Sequence, residues 1–377
     1  MNTRILLVLS TLFLASCTSP TPALFPTPTL TATSLPATAT SLPTLVLSVI
    51  EGLAPTNTPQ PPPTPRDAPA LRFPAGGLIH DLHWSPDGSQ LAIAAGTNIH
   101  IYDVSPSTGS GQALVELHTL ALDVWTERIA FHPSQALLGA AAKDGTIHFW
   151  NTTTGVETCR FTAHKKGANS LAFQPGGTLL VTTGAEIISR LWDISSALKG
   201  VTGGCDVKAG AFLIGSSYTA PDVAFSADGQ MFALVDIKNV YLRDSQTRKL
   251  IAMLKSDLAV FDIALSLDGR WLAAAQNNAT VTLWDLAAKP RPSATILQIA
   301  AGKPQTYTWR ADFSSDSALL AGATSDGALL VWQLPGLQPV FSRSFSDAVS
   351  GLAFKPNTHL LTVGALDGAV YIDSLVE

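Results

Sequence analysis

The stretch Lys143–Asn151, KDGTIHFWN, decides the fold, because related stretches recur six more times at nearly constant spacing. Asp144 and Gly145 are predicted to take the two positive-φ positions of a tight hairpin turn. The run Thr146–Trp150 is rich in β-branched and aromatic residues, which favour a β-strand. The chain is therefore expected to be built from a repeated β-hairpin.

A second feature of each repeat is a short segment centred on an aromatic residue or leucine. These seven positions are separated by 47, 42, 52, 40, 48 and 41 residues, and they are Trp84, Phe131, Phe173, Phe225, Leu265, Phe313 and Phe354. The segments lead into turn chemistry, as in Ser85-Pro86-Asp87-Gly88, where serine, proline and glycine suit the corners of a type I turn. Seven units of this period predict an all-β, seven-bladed propeller with blades of four antiparallel strands.

The third strand of each repeat ends in a pair of residues related to Trp-Asp. The pairs are Tyr102-Asp103, Trp150-Asn151, Trp192-Asp193, Arg243-Asp244, Trp284-Asp285, Trp332-Gln333 and Ile372-Asp373. This pattern resembles the WD-repeat family over nearly all of the chain after residue 69. In that family a histidine, a serine or threonine, an aspartate and the tryptophan form a buried hydrogen-bonded set. Only His164 stands at the histidine position with its tryptophan, Trp192, in place, and Glu186 replaces the aspartate.

The resemblance also implies how the ring closes. The last repeat stops after its third strand, so its outer strand must come from elsewhere in the chain. The segment Ala70–Phe73 is apolar at alternate positions and is flanked by prolines. We expect it to supply that strand, which would remove an exposed sheet edge.

The N-terminus has the pattern of an export signal. Residues 1–16 contain one charge, Arg4, and a short apolar run that is shorter than the roughly 20 residues a membrane span needs. Leu14-Ala15-Ser16-Cys17 resembles the lipobox of bacterial lipoproteins, which implies cleavage before Cys17 and acylation of its thiol. The implied location is the outer face of the bacterial cytoplasmic membrane or the outer membrane. A plain secretory signal is the alternative interpretation.

Residues 17–68 are predicted to be a lipidated cysteine followed by a disordered stalk. Thirteen of the 25 prolines fall between Thr18 and Pro69, and Glu51 is the only charged residue between Thr18 and Pro65. Proline at this density removes amide donors and favours extended polyproline geometry. The propeller is expected to occupy residues 69–377.

Little in the sequence indicates chemistry. Motifs for a catalytic serine, a zinc helix, a phosphate loop or haem attachment are missing, so neither a cofactor nor a metal is predicted. His100 and His148 occupy the same position of successive third strands, and we expect a solvent-facing strand position there. A net charge of -5 without a basic tract argues against nucleic acid as a partner.

Two cysteines remain after Cys17 is assigned to lipid. Cys159 and Cys205 fall in outer-strand regions of successive repeats, and an exported protein meets an oxidising compartment that allows a disulfide. Outer strands of neighbouring blades splay apart, however, and a disulfide needs Cα atoms within about 7 Å. The expectation is therefore two partly buried free thiols.

Three classes of function follow from this reading. The first is a non-catalytic, monomeric, lipid-anchored scaffold that binds a protein or an envelope polymer. The second is a component of a periplasmic or outer-membrane assembly machine. The third is a propeller enzyme, such as a hydrolase or a quinone-dependent dehydrogenase. An enzyme of this kind requires histidines and acids that converge at the propeller axis, and the sequence predicts none there.

The candidate partner-binding residues lie six positions before the aligned aromatic residues. Trp125 and Tyr307 stand out there, because large amphipathic rings dominate interface hot spots. Lys165 and Lys166 are predicted to lie on the rim between them. The alternative is that both rings fold back onto their own blades. Trp309, inside its strand, is expected in the core.

Overall fold

The computed structural model describes residues 69–73, 77–104, 114–186, 188–199, 207–214, 222–289, 292–299 and 306–375. The chain divides into two units, Met1–Pro59 and Gln60–Glu377, and all described residues lie in the second. That unit is a seven-bladed propeller of antiparallel four-stranded sheets, as the sequence predicts.

Each blade is numbered by the order in which its first strand appears. The strands of blades 1 to 3 are β2 (Ile79–Trp84), β3 (Gln90–Ala95), β4 (Asn98–Asp103), β5 (Val115–Ala121), β6 (Thr126–Phe131), β7 (Leu137–Ala142), β8 (Thr146–Asn151), β9 (Glu157–Thr162), β10 (Ala168–Phe173), β11 (Leu179–Gly184), β12 (Ile188–Asp193) and β13 (Lys208–Ile214). A short 3-10 helix, Ala197–Lys199, precedes β13.

The remaining strands complete blades 4 to 7. They are β14 (Val223–Phe225), β15 (Met231–Val235), β16 (Asn239–Asp244), β17 (Leu250–Lys255), β18 (Val260–Leu265), β19 (Trp271–Gln276), β20 (Thr280–Asp285), β21 (Ser293–Gln298), β22 (Thr308–Phe313), β23 (Leu319–Thr324), β24 (Ala328–Gln333), β25 (Gln338–Ser344), β26 (Val349–Phe354), β27 (Leu360–Ala365) and β28 (Ala369–Ser374). The outer strand of blade 7 is β1 (Leu71–Arg72), which precedes blade 1 in the sequence.

The turn between the first and second strands has the predicted type I geometry. In blade 1 the Gly88 amide donates to the Ser85 carbonyl at 2.8 Å, and Gly88 has a φ of 70°. The Ser85 hydroxyl donates to the Asp87 carboxylate at 2.6 Å, which fixes the corner of the turn. Blades 4, 5 and 6 repeat this pattern through Ser226, Ser266 and Ser314.

The hairpin at Asp144-Gly145 differs from the prediction. Only Gly145 has a positive φ, at 90°, and its amide donates to the Ala142 carbonyl at 2.9 Å. The Asp144 carboxylate instead accepts the Thr146 amide at 2.9 Å, which stabilises the turn from the side chain. A Cβ on Gly145 would lie 1.8 Å from the His164 carbonyl oxygen, so this position requires glycine. Two successive positive-φ residues occur in blade 5 instead, at Asn278 and Ala279.

Ring closure by the segment before the first repeat is confirmed. Strand β1 pairs antiparallel with β28, with Leu71 opposite Val370 and Arg72 opposite Ala369. The Phe73 amide donates to the Gly368 carbonyl at 2.8 Å, and the Phe73 side chain is buried. The sheet of blade 7 therefore consists of strands from both ends of the described chain.

The core lies between neighbouring blades. The second strands are wholly buried in blades 2, 5 and 6, and they are rich in alanine and leucine, which lets adjacent sheets pack closely. The first strand of each blade lines the propeller axis. Large side chains such as Phe149 and Phe232 are fully buried between these layers.

Candidate functional site

The residue before each first strand marks one face of the propeller. In blade 2 the Trp125 carbonyl accepts the amide of Lys143, which begins the turn between the second and third strands. Tyr307 and Ser325 make the equivalent bond in blade 6, at 2.8 Å. The loops that lead into the first strands therefore share a face with these turns, and we call it the upper face. The lower face carries the turns that follow the first strands.

Both aromatic candidates are exposed on the upper face. Trp125 is 52% exposed, and its ring centroid lies 5.3 Å from that of His80. Tyr307 is 37% exposed, and its ring meets that of Phe261 edge-on at 5.3 Å. Each ring therefore rests on a neighbouring blade while it presents a large part of its surface to solvent.

The four candidate residues do not form one continuous patch. Trp125 leads into blade 2 and Lys165 and Lys166 lead into blade 3, and both lysines are exposed. Tyr307 leads into blade 6, so three blades separate it from the lysines along one arc of the ring. Trp309, expected in the core, is only half-buried, because it lies at the irregularity in the pairing of Thr308 and Arg310 with β23.

Charged side chains converge at the axis, contrary to the prediction that none would. The axial charge cluster consists of Asp81, Arg128, Asp222, Asp262 and Arg310. The Arg128 guanidinium contacts Asp262 closely, lies 3.0 Å from the Asp222 carboxylate and lies 3.7 Å from that of Asp81. Arg310 lies 3.8 Å from Asp81 and donates to the His80 carbonyl at 3.0 Å.

The aspartates of this cluster also link three pairs of neighbouring blades. Asp81 accepts the Ile129 amide of blade 2 at 2.9 Å, Asp222 accepts the Ile263 amide of blade 5 at 2.9 Å, and Asp262 accepts the Ala311 amide of blade 6 at 2.8 Å. Each carboxylate therefore uses one oxygen for a neighbouring backbone and the other for a guanidinium. The cluster is chiefly a structural element that holds the inner strands together.

Burial sets the ionisation of these groups. Burial opposes the charge of Arg128, yet Asp222, Asp262 and Asp81 outweigh it and raise the pKa of the guanidinium well above its usual value. Burial raises the pKa of Asp222 to about 6, against the opposing effect of Arg128. Because Arg128 engages three carboxylates at once, none of the three is placed as a free general base.

One more acid lies along the axis, nearer the lower face. Burial raises the pKa of Asp312 to about 7, and the charge of Asp262 adds to the shift. Asp312 accepts the Phe354 amide of blade 7 at 2.8 Å. It therefore links blade 6 to blade 7, and Arg310 of blade 6 stands at the position that blades 1, 4 and 5 fill with aspartate.

A signal for the axial charge cluster was present in the repeat alignment. The residues three positions before the aligned aromatic residues are Asp81, Arg128, Ser170, Asp222, Asp262, Arg310 and Gly351. Five of these seven carry a charge in strands that are otherwise apolar. Charged residues at this one position of the repeats indicate a ring of charges around the propeller axis.

The hydrogen-bonded set predicted in blade 3 is present. The Trp192 indole donates to the Thr182 hydroxyl at 2.9 Å, and the same hydroxyl lies 2.9 Å from His164 Nε2. Glu186 lies 4.0 Å from His164 Nδ1 and accepts the backbone amide of Lys165. Burial lowers the pKa of His164 to about 4, so its imidazole is neutral at pH 7.

Two expectations from the sequence, one about His148 and one about Cys159, are wrong. His148 is buried, because its ring stacks on Trp150 and contacts Glu157 at 2.7 Å, whereas a solvent-facing position was expected. Cys159 is disulfide-bonded and buried, so it is not a free thiol. Cys205 and Cys17 lie outside the described residues. Among the described residues, no group of three or more histidines, cysteines and acids is arranged to hold a metal ion.

Three segments of the chain match the family described as WD domain, G-beta repeat. The matches cover residues 118–151, 155–193 and 248–285. Three WD40 repeats are present. Each match ends at a Trp-Asn or Trp-Asp pair at the end of a third strand, in blades 2, 3 and 5. The matches thus cover three of the four blades that retain the tryptophan of the pair, and the fourth is blade 6, with Trp332-Gln333.

The chain is also similar to WD-repeat proteins of eukaryotes. It is 21% identical over 300 residues to human apoptotic protease-activating factor 1, covering 79% of this chain and 22% of that protein. It is 27% identical over 176 residues to the LST8 homolog of Drosophila melanogaster, covering 46% and 53%. It is 23% identical over 257 residues to nuclear distribution protein PAC1 of Arthroderma benhamiae, covering 60% and 54%. The chain thus spans about half, or less, of these relatives.

The N-terminal expectations fall on residues that the structure does not describe. Residues 1–16, Cys17 and the stalk up to residue 68 are among them. Within the described part of the chain, no helix has the length and apolar character needed to cross a membrane.

Proposed function

We propose that this protein is a non-catalytic, lipid-anchored, extracytoplasmic scaffold that binds a partner protein through the upper face of its propeller. The observation that carries the proposal is the exposure of Trp125 and Tyr307 on that face. WD40 repeats support it, because WD-repeat propellers generally bind protein partners.

The upper face has the composition of a binding surface. Leu78 is exposed at the position in blade 1 that is equivalent to Trp125 in blade 2. The neighbouring His80 is half-buried, and its buried Nε2 has no hydrogen-bond partner among the described residues. The exposed side chains of Leu78 and Trp125 allow a partner to gain buried apolar area on this face.

Alanine at Trp125 and Tyr307 is expected to weaken capture of the partner. Each substitution should cost about 2 kcal/mol or more of binding free energy if the ring is a hot spot. The free energy of unfolding should change by about 1 kcal/mol or less, since Trp125 is 52% and Tyr307 is 37% exposed. The measurement is affinity capture from detergent-solubilised membranes, with urea unfolding of the same variants.

The matched control for that experiment is Ile296→Ala. Ile296 is also an exposed apolar residue, but it lies on the outer strand β21 and not on the upper face. Ile296→Ala should leave both the capture of the partner and the free energy of unfolding unchanged. If Trp125→Ala and Tyr307→Ala lower stability strongly while capture stays intact, the rings serve packing and the proposed surface is wrong.

The anchor is the part of this proposal that rests on sequence alone. The match of Leu14-Ala15-Ser16-Cys17 to a lipobox supports acylation of Cys17, and each buried CH₂ adds about 0.8 kcal/mol of membrane affinity. We expect Cys17→Ser to abolish labelling by a radioactive fatty acid and to move the protein out of the membrane fraction. Ser16→Ala is the control, because a small residue there keeps the signal. Unchanged labelling of the serine variant would refute the anchor.

A further inference from the structure

A funnel opens along the axis on the lower face of the propeller. It has a volume of about 590 Å³, which lies within the range of roughly 300 to 1,000 Å³ typical of ligand pockets. Its floor is the axial charge cluster, and its rim is formed by turn residues such as Pro86, Pro133 and Pro175.

The walls of the funnel are mostly small and apolar. One position before each aligned aromatic residue, five of the seven blades carry alanine, at Ala130, Ala172, Ala224, Ala264 and Ala353. The other two blades carry His83 and Asp312 at this level. Alanine keeps the funnel open, and it offers an apolar surface to an aliphatic chain.

The charge of the funnel is negative. Four carboxylates line its described part, those of Asp81, Asp222, Asp262 and Asp312, and two guanidinium groups oppose them. The side chain of His83 is exposed in the funnel, yet desolvation by the surrounding walls lowers the pKa of its imidazole, which is therefore largely neutral at pH 7. An excess of two carboxylates in a narrow cavity attracts a cation.

Asp312 is the carboxylate that the internal arginines do not pair. The two guanidinium groups lie at the floor, where Asp81, Asp222 and Asp262 contact them. No ion pair to Asp312 occurs in the described part of the chain. In the structure, Asp312 Oδ2 accepts a hydrogen bond from the Phe354 amide, and an asparagine side-chain oxygen could accept the same bond. The negative charge is therefore not needed for the tie between blades 6 and 7.

We propose that the funnel binds an organic cation, an ammonium or guanidinium group on an aliphatic stem, with Asp312 as its counter-ion. The alanine walls contact the stem, and the carboxylate receives the cationic head as a charge-assisted hydrogen bond. This site lies on the face opposite to the aromatic surface of the proposed function and does not depend on it.

The probe that tests this site is butylguanidinium, with the neutral isostere butylurea as the comparison. Binding is followed through the methyl resonances of the funnel alanines in ¹³C-alanine-labelled protein. Butylguanidinium should shift these resonances in a saturable way, and butylurea should not. Saturable shifts of equal size with butylurea would overturn the proposal, because the site would then not recognise the charge of the head group.

The decisive variant is Asp312→Asn, which retains the acceptor for Phe354 and removes the charge. We expect it to weaken butylguanidinium binding by at least about tenfold, the effect of losing one charge-assisted hydrogen bond. The control is Asp123→Asn, which makes the same change in net charge at an exposed residue of the loop before blade 2. Equal affinities of Asp312→Asn and wild type would assign Asp312 a structural role only.

Binding should also depend on pH with a definite sign. Asp312 ionises as the pH rises through about 7, so the affinity of the wild type for butylguanidinium should increase by about tenfold between pH 6 and pH 8. The other charged groups near it are Asp81, Asp222, Asp262, Arg128 and Arg310, with neutral His83 at the same level. Asp222 has a pKa of about 6, and its contribution persists in Asp312→Asn. If the affinity of the wild type rises with pH no more steeply than that of Asp312→Asn, the assignment of Asp312 as the counter-ion is wrong.

The same experiment distinguishes two sources of the cation. N-acetyl-arginine amide represents a basic side chain within a polypeptide, whereas butylguanidinium represents a free small molecule. Tighter binding of the blocked arginine would indicate that a partner protein inserts a basic side chain into the funnel, and tighter binding of butylguanidinium would indicate a small-molecule ligand. Both outcomes support the cation site, and failure of both probes would refute it.

Discussion

Replacing Arg128 by methionine should lower the free energy of unfolding by about 3 to 5 kcal/mol. The reason is that breaking a buried ion pair leaves an uncompensated buried charge. Asp81, Asp222 and Asp262 are all buried, and all three lose their shared cation in this variant. Urea unfolding at pH 7 measures the change.

The matched control is Arg160→Met. Arg160 also pairs with an acid, Glu157, at 2.8 Å, but its side chain is 57% exposed. Exposed ion pairs of this kind contribute about 0 to 1 kcal/mol. A loss at Arg128 no greater than the loss at Arg160 would show that the axial charge cluster does not stabilise the propeller.

Removing negative charge should partly rescue the Arg128 variant. Adding Asp222→Asn and Asp262→Asn leaves amide oxygens that can still accept the Ile263 and Ala311 amides. The combined variant should regain stability relative to Arg128→Met alone, because no uncompensated carboxylate remains at these two positions. If it loses further stability, the main effect of Arg128→Met is lost packing and not unpaired charge.

Deleting residues 18–73 should cost about 3 to 5 kcal/mol, whereas deleting residues 18–66 should leave stability almost unchanged. The longer deletion removes the buried Phe73 side chain, which stabilises by about 1.5 to 3 kcal/mol. It also removes hydrogen bonds from the Ala70 and Phe73 amides to blade 7, worth about 1 kcal/mol each. Thermal and urea unfolding of both truncated proteins provide the comparison.

A point variant tests the same closure without changing the length of the chain. Phe73→Ala should cost about 3 kcal/mol or more, as expected for truncating a buried phenylalanine. Arg72→Ala is the control, since its ion pair with Asp367 at 3.2 Å is largely exposed and should contribute less than about 1 kcal/mol. For the deletions, equal melting temperatures of the proteins lacking residues 18–66 and residues 18–73 would show that β1 adds little to the stability of blade 7.

The repeat units and their closure were predictable from the sequence because they depend on local chemistry. Serine, proline, aspartate and glycine at Ser85-Pro86-Asp87-Gly88 specify a type I turn whatever surrounds them. The alternation of Ala70–Phe73 and its place before the first repeat were enough to assign the last outer strand. The resemblance to WD repeats implied that His164 and Trp192 belong to one hydrogen-bonded set, and the structure supplies Thr182 as the hydroxyl that joins them.

Local conformation was less predictable where two backbones meet. Asp144 does not take a positive φ, because a longer turn with a single left-handed glycine fits against the His164 carbonyl. His148 is buried because Trp150, two residues further along the same strand, stacks on its ring, and Glu157 of the neighbouring strand β9 contacts it. Cys159 is disulfide-bonded, although a free thiol was expected there from the sequence.

The sequence by itself determined the number of blades and the order of their strands, since each repeat is a pattern of 40 to 52 residues. The resemblance to WD repeats implied how the ring closes. The tertiary structure alone decided which charged groups pair at the axis. Arg310 donates to the His80 carbonyl, 230 residues away in sequence, and Arg128 contacts Asp262, 134 residues away. Such contacts arise because a closed ring brings every first strand to the same axis, so that residues from distant repeats share one low-dielectric space and must neutralise one another there.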